Sequence, residues 1–184
     1  MNNNQNNTKA ITGIVRLSFA NVWEAKSING GKPKYSASII IPKDDAKTVE
    51  DINRAIDNAI KAGADKLGGN VSKSALKLPL RDGDTQSDNA VYHNSYFINA
   101  NSAYAPKIVD RALNPIVNKA EVYSGCYVRV LLNFYAYNYN GNKGIACGLG
   151  NIQKIRDGER LGKKRAVADE FTAFTDKSFE DFFA

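Results

Sequence analysis

The sequence contains few of the residues that bind metal ions or act as nucleophiles. Among its 184 residues are two cysteines and one histidine, with no Cys-x-x-Cys pair. A structural zinc site therefore lacks ligands. No apolar run approaches the roughly 18 residues of a membrane span, and no basic and apolar leader opens the chain. These absences predict a cytoplasmic protein without structural zinc and without a membrane partner.

The two cysteines are not expected to form a disulfide. Cys126 and Cys147 lie in apolar, strand-like runs on either side of a turn at Asn140-Gly141. In a hairpin built on that turn, the two thiols are far out of cross-strand register. Two reduced thiols in a core fit a cytoplasmic protein.

The acidic residues of the body show no pattern of a catalytic or metal site. Asp82, Asp84 and Asp88 form its acidic cluster, on an irregular segment. Compared with a calcium loop, this segment has Ser87 at the glycine position and His93 at the glutamate position. Phosphate-binding and dinucleotide glycine patterns are absent from the sequence. We therefore expect no cofactor, no metal site and no enzymatic activity, and keep a metal-dependent nuclease using Asp82 and Asp84 as one alternative.

The most informative positive feature is the contrast between a basic body and an acidic end. The formal net charge is +6. The last sixteen residues, DEFTAFTDKSFEDFFA, hold five acids, one lysine and five of the eight phenylalanines. This segment has a net charge of −4, which leaves +10 for residues 1–168. Such a body suits a polyanion, and such a tail can compete for the cationic surface and insert aromatic side chains into partner proteins.

The tail supplies its own candidate site and its own alternative. Four of its phenylalanines share one side of a helix at about 100° per residue, so an amphipathic helix docked on the body is the alternative to a mobile tail. Few aliphatic residues support that stripe, and Thr, Ser and Asp are modest helix formers. The predicted partner-binding residues are Phe171, Phe174, Phe179, Asp181, Phe182 and Phe183.

Composition divides the chain into four parts. Residues 1–10 include the polar, low-complexity start MNNNQNNTK and are expected to be a disordered arm. Residues 11–157 are the predicted nucleic-acid-binding domain. A basic linker, 158–168, joins this domain to the acidic phenylalanine-rich tail, 169–184.

The body has the pattern of short strands with one helix. Alternation over residues 11–23 predicts a strand with Phe19 on the core side. A Gly/Pro turn with three lysines separates it from a second strand, 35–41. A helix is predicted after an N-cap at Asp44, and a hairpin over residues 127–155. These elements favour a mainly β fold, a five-stranded OB-type Greek-key barrel with one helix and a disordered acidic C-terminal tail.

The strand at 127–139 indicates a surface that can stack bases. Its even positions fit a core, whereas its odd positions carry four tyrosines and an arginine. Bases stack on aromatic side chains for roughly 1–3 kcal/mol each, whatever their identity, while Arg and Lys hold the backbone. A second packing layer is the alternative, since aromatic residues are favoured in strands. With cations from elsewhere, the predicted DNA-binding residues are Arg16, Lys32, Lys34, Lys107, Tyr127, Arg129, Tyr135, Tyr137, Lys154 and Arg156.

Four short segments carry a resemblance to a known family. They are PLRDGD at 79–84, YFINANS at 96–102, PKIVD at 106–110 and GLGNIQKIRDG at 148–158. Over about residues 11–162 the chain resembles phage proteins related to the coliphage OB-fold single-stranded DNA-binding protein. The tail is similar in type to those with which bacterial and phage proteins of this function recruit replication partners. Such tails commonly finish on phenylalanine, whereas here the chain finishes on Ala184.

Residue patterns and resemblance together predict a function. We expect a sequence-independent single-stranded DNA-binding protein of phage or prophage DNA replication and recombination, in the cytoplasm of the bacterial host. Its expected partners are single-stranded DNA and, through the tail, replication or recombination proteins. The oligomeric state stays open, with a homodimer as one alternative. An RNA-binding or strand-annealing module, and a protein-interaction scaffold without nucleic-acid function, are the remaining alternatives.

Overall fold

The computed structural model describes residues 7–27 and 29–162. The strands are β1 (Lys9–Ile11), β2 (Val15–Lys26), β3 (Lys34–Pro42), β4 (Arg81–Asp82), β5 (Ser95–Ser102), β6 (Ile108–Val109), β7 (Tyr127–Tyr139) and β8 (Asn142–Arg156). The helices are α1 (Ala46–Ala62), α2 (Ala64–Leu67) and α3 (Gly83–Gln86). None of these helices in the described ranges has the length and apolarity to cross a membrane.

Five of the strands close into a ring. Antiparallel pairing joins β2 to β3, β3 to β5, and β7 to β8, and β7 returns to β2. The remaining join, between β5 and β8, is parallel. A meander of three strands closed by a hairpin of two is the arrangement of an OB-type barrel. The predicted five-stranded barrel with one main helix is therefore confirmed.

Strand β7 follows the predicted alternation. Val128, Val130, Leu132 and Phe134 are buried in the barrel core, while the residues between them are half-buried or exposed. Since successive side chains of a strand point to opposite faces, one face of β7 fills the core and the other covers the outside of the barrel. The assignment of even positions to the core is confirmed.

Strand β2 departs from the predicted alternation because it contains a β-bulge. Ser18 pairs with Ser38 but Asn21 pairs with Ser36, so β2 has one more residue than β3 over this stretch. An extra residue reverses which parity faces the core. Phe19, predicted to be buried, is 68% exposed, whereas Val22 is buried. The prediction for Phe19 was wrong for this reason.

Helix α1 begins one residue later than predicted and packs against the barrel. Its N-cap is Asp45 rather than Asp44, because the Asp45 carboxylate accepts a hydrogen bond from the backbone N–H of Thr48. The helix ends at Gly63, where a Cβ would collide with Ala136 of β7. Only glycine therefore fits at this contact between helix and barrel.

The barrel sheet begins before the predicted domain boundary at residue 11. Phe134 donates its backbone N–H to the carbonyl of Thr8, and β1 pairs with β7. Lys9 and Ala10 of the predicted arm are thus part of the sheet, and Thr8 is bonded to its edge, since backbone pairing compensates for their low apolar content. The first six residues, and residues 163–184 with most of the linker and all of the tail, lie outside the described residues.

Both cysteines are free and buried, as the sequence predicted. Cys147 pairs with Phe134 across the hairpin, whereas Cys126 lies just before β7. Burial raises the pKa of both thiols above the ordinary value for cysteine. The reactive thiolate form is therefore disfavoured at neutral pH.

Candidate nucleic-acid interface

A groove of about 900 Å³ runs over the outer face of β2, β3 and β5. One wall is the loop that joins β2 to β3, and the opposite wall is the segment between β4 and β5. Oligonucleotides bind OB-type barrels on this kind of surface, where the strand face meets the loop between the first two barrel strands. The groove is therefore the candidate nucleic-acid interface.

Four cations and no acid line the groove among the residues that the structure describes. The cations are Lys26, Lys32, Lys34 and Arg81. None of them forms a salt bridge with another described residue. Like charges gathered in a concave surface raise the local concentration of anions such as phosphate. We call this surface, defined by the four residues, the cationic groove.

The floor of the cationic groove is polar but uncharged. Ser36 and Ser38 of β3 lie opposite Asn101 and Asn99 of β5 in the sheet, and all four line the groove. Their hydroxyl and amide groups can both donate and accept hydrogen bonds. Such groups can form hydrogen bonds with the edge of any base, because each base offers hydrogen-bond donors or acceptors.

Aromatic side chains lie on the groove wall in two different states. Tyr92 and Phe97 form a buried edge-to-face pair with ring centroids 4.9 Å apart. The Tyr92 hydroxyl donates to Ser38 Oγ at 3.1 Å, and the Arg81 guanidinium lies 5.9 Å from the Phe97 ring centroid. Because this pair is buried, it positions Arg81 rather than offering a free ring.

Phe19 offers the free ring. It lines the groove, it is exposed, and its φ is +46°. A bulky residue in the left-handed region costs roughly 1–2 kcal/mol. Strain of this kind persists where the surrounding structure imposes it, and it is concentrated at functional sites. Here the bulge of β2 imposes it.

Lys43 fixes the segment that carries Arg81. Its Nζ lies 2.7 Å from an Asp82 carboxylate oxygen and 2.6 Å from one of Asp84. The same carboxylates accept backbone hydrogen bonds, Asp82 from Asp84 and Asp84 from Asn94. The hydrogen bond from Lys43 is the main cause that lowers the pKa of both carboxyl groups. The two acids of the nuclease alternative are thus bonded to the protein itself.

The structure divides the ten predicted DNA-binding residues among several places. Lys32 and Lys34 lie in the cationic groove. Arg16 and Arg156 instead lie over the ring of Tyr127, 5.6 Å and 3.7 Å from its centroid. Lys107 lies just before β6 and lines neither wall. The ten residues therefore do not form one surface.

Two further predicted cations already have protein partners. Lys154 forms a salt bridge with Asp157 at 2.8 Å and keeps only 14% of its side chain exposed. Arg129 donates from its Nε to the carbonyl oxygen of Thr12 at 3.1 Å. Each would have to give up or share a partner to hold a phosphate, so both are weaker candidates than the unpaired lysines of the groove.

The predicted tyrosines lie beside glycines of β8 or of the residues that follow it. Tyr127 packs against Gly158, and Tyr137 is half-buried beside Gly144. The ring of Tyr135 lies over Gly148. Tyr135 is still 44% exposed. The geometry thus fits the packing alternative for Tyr127 and Tyr137, and leaves Tyr135 the most accessible of the three.

Sequence reasoning missed three groove residues. Lys26 belongs to the turn whose three lysines the sequence did reveal, so it could have been included with Lys32 and Lys34. Arg81 lies within the segment PLRDGD, but nothing in the sequence places that segment beside the turn. Phe19 was assigned to the core, since a bulge leaves no mark on an alternating pattern. The predicted tail residues lie outside the described part of the chain.

The described C-terminal residues run across the barrel toward the groove. Tyr123 donates its hydroxyl hydrogen to Asp157 or Gly158, and the Arg160 guanidinium lies 3.9 Å from the Tyr123 ring centroid. Leu161 donates its N–H to the carbonyl of Ser124 and packs against the cluster of Ile40, Tyr92 and Phe97. Since Tyr92 and Phe97 line the groove, the chain leaves the described barrel beside it.

The fold and the groove together define a class, the OB-fold proteins that bind oligonucleotides. A family model for the single-stranded DNA-binding protein of Enterobacter phage Enc34 matches residues 8–183. The chain belongs to this family of phage single-stranded DNA-binding proteins, as the resemblance implied. The family is not one of enzymes, which agrees with the sequence prediction.

Individual relatives extend this result. Protein p50 of Acyrthosiphon pisum secondary endosymbiont phage 1 is 31% identical over 165 residues, which cover 85% of this chain and 89% of p50. The single-stranded DNA-binding protein from bacteriophage Enc34, solved in complex with ssDNA, has a TM-score of 0.75 at 23% identity over 84% of this chain and 90% of that one. Gp2.5, a single-stranded DNA-binding protein encoded by bacteriophage T7, has a TM-score of 0.60 at 12% identity over 86% and 97%. At these identities the solved structures establish the fold.

Replacing Lys43 should release both carboxyl groups that anchor the groove wall. A carboxyl group with a lowered pKa stabilises the fold above its ordinary pKa, and this stabilisation is lost as the pH falls through the lowered value. In Lys43→Met we expect the pKa of Asp82 and Asp84 to rise toward the ordinary value of 3.8. The segment should then loosen at a higher pH than in the wild type.

Carboxyl-carbon NMR titration measures this change directly. Lys47→Met is the matched control, because Lys47 pairs with Asp51 on helix α1 and should shift Asp51 alone. Unchanged titration of Asp82 and Asp84 in Lys43→Met would contradict the role given to Lys43.

Proposed function

We propose that the protein binds single-stranded DNA without sequence preference in the cationic groove, during phage or prophage DNA replication and recombination in the cytoplasm of the bacterial host. The observation that carries this proposal is the set of four unpaired cations with no acid among the described lining residues. Membership of the Enc34 family supports the nature of the ligand.

The phosphates are held electrostatically. Lys26, Lys32 and Lys34 lie on one side of the groove and Arg81 on the other, so a strand laid along the groove passes between cations. Each neutralised phosphate of a single strand releases condensed counterions and adds about 0.7 to the slope of log affinity against log salt. Strong salt dependence is therefore an intrinsic part of the mechanism.

The bases are held by stacking and by hydrogen bonds to the polar floor of the cationic groove. Phe19 presents an exposed ring, and the serines and asparagines of the floor present hydrogen-bonding groups that do not select one base. Stacking depends little on base identity, which suits a protein that coats DNA of any sequence. Tyr135 and Tyr137 on β7 are the second candidate stacking surface.

The acidic tail regulates binding and recruits partners in this proposal. Its net charge of −4 makes it a competitor for the cationic groove, and its phenylalanines suit pockets on replication or recombination proteins. The position of Leu161 beside Tyr92 and Phe97 supports the competition, because the tail follows a few residues later in the chain. The proposal also includes the predicted domain limits and a homodimer as one alternative for the oligomeric state.

Removing groove lysines should weaken DNA binding in a salt-dependent way. For Lys32→Gln with Lys34→Gln, we expect the salt slope to fall by about 1.4, since each lost phosphate contact removes about 0.7. Fluorescence anisotropy with oligothymidylate over a salt series measures this slope. The matched control is Lys61→Gln with Lys66→Gln, which removes two exposed lysines that do not line the groove.

Equal slopes in the two double variants would show that the groove does not bind the backbone. Competition by RNA of equal length in the same assay separates DNA binding from the RNA-binding alternative. Wild-type protein that binds neither nucleic acid at low salt would favour the scaffold alternative.

Replacing Phe19 should separate stability from binding. In Phe19→Asn we expect DNA binding to weaken by about 1–3 kcal/mol, the value of one stacked base. Thermal stability should be maintained or increased, because Asn tolerates the left-handed conformation that strains Phe. The double variant Tyr135→Ala with Tyr137→Ala tests the second candidate stacking surface, on β7. If this variant loses DNA binding and Phe19→Asn retains it, the stacking site is on β7.

Removing the tail should tighten DNA binding. For a chain truncated after Arg165, we expect higher affinity at low salt and a difference that shrinks as salt screens the competition. The control keeps the full length and exchanges the five tail acids for Asn or Gln, which removes charge but not aromatic residues. If both variants bind at low salt like the wild type, the tail does not compete for the groove.

A further inference from the structure

We propose that the DNA path continues from the cationic groove, past Arg81, into a second binding depression formed by residues 73–80. This inference rests on the proposed function, because it extends the same binding site. The depression has a volume of about 520 Å³. Arg81 and Gln86 line both the depression and the cationic groove, so the two adjoin at these residues.

The chemistry of the depression suits a nucleotide. It is lined by Lys73 and Lys77, and among its described residues there is no acid. Leucine side chains, half-buried or buried, form the apolar part of the wall. Cations beside an apolar surface match the two parts of a nucleotide, the phosphate and the flat face of the base.

Lys77 is the cation most available for a phosphate. Lys73 pairs with Asp57 at 2.7 Å, whereas Lys77 has no salt bridge with a described residue and is exposed. The backbone of Lys77 is fixed, since its N–H donates to the Lys143 carbonyl and its carbonyl accepts from the Ile145 N–H. A cation on a fixed backbone next to Arg81 continues the row of positive charge.

The depression is smaller than the cationic groove. The depression has roughly three fifths of the volume of the groove. It adjoins the groove at Arg81 and Gln86 and therefore lengthens the path available to the strand. The assignment is thus a binding subsite for one end of the strand rather than a separate site.

The length dependence of binding tests this subsite. Full-length protein is titrated with fluorescent oligothymidylates of increasing length, from the shortest that binds. In Lys77→Gln we expect unchanged affinity for the shortest oligonucleotide, and about threefold to tenfold weaker binding once the strand is long enough to reach the depression. The salt slope should fall by about 0.7 for the long strands alone. Lys66→Gln, an exposed lysine of α2 that lines neither cavity, should change nothing.

Two results would overturn the subsite. A loss that is the same at every length would make Lys77 part of the cationic groove or of the general field of the protein. No loss at any length, or equal losses in Lys77→Gln and Lys66→Gln, would leave the depression without a role in binding. Failure of the wild-type protein to bind any length overturns the proposed function itself, and is thereby distinguished from failure of the subsite alone.

Discussion

The shape of the cationic groove depends on one extra residue in β2. Between Ser18 and Asn21 this strand is one residue longer than the stretch of β3 that it pairs with. The bulge changes the inward-facing parity from that of Leu17 to that of Val22, so both halves of a long strand can contribute to one closed core. The residue displaced by this change is Phe19, which is turned outward into the cationic groove.

Local patterns predicted the barrel well because the core of each strand is encoded locally. The alternation of β7, the glycine turn of its hairpin and the stop of α1 at Gly63 are all visible in short windows of sequence. The bulge was not predictable, since one extra residue changes which side chains face the core without changing the composition of the strand. The N-cap was misplaced by one residue because Asp44 and Asp45 are equally good candidates by type.

The cationic groove was only half predictable, for a different reason. Lys32 and Lys34 stand in a conspicuous lysine turn, but the opposite wall comes from Arg81, about fifty residues later in the chain. Sequence also does not distinguish a paired cation from an unpaired one. Lys154 has Asp157 three residues away, whereas the groove lysines form no salt bridge with a described acid. Unpaired like charges destabilise a folded protein by repulsion. Their presence together in one concavity is therefore typical of a surface that attracts anions.

The closed ring has a consequence for contacts between copies of this protein. Outside the ring, the described strands are short, with three residues in β1 and two each in β4 and β6. Short edges offer little backbone for pairing between molecules. Contacts between copies of the described part of the chain would therefore rest mainly on side chains, which can separate one molecule at a time, rather than on a continuous intermolecular sheet.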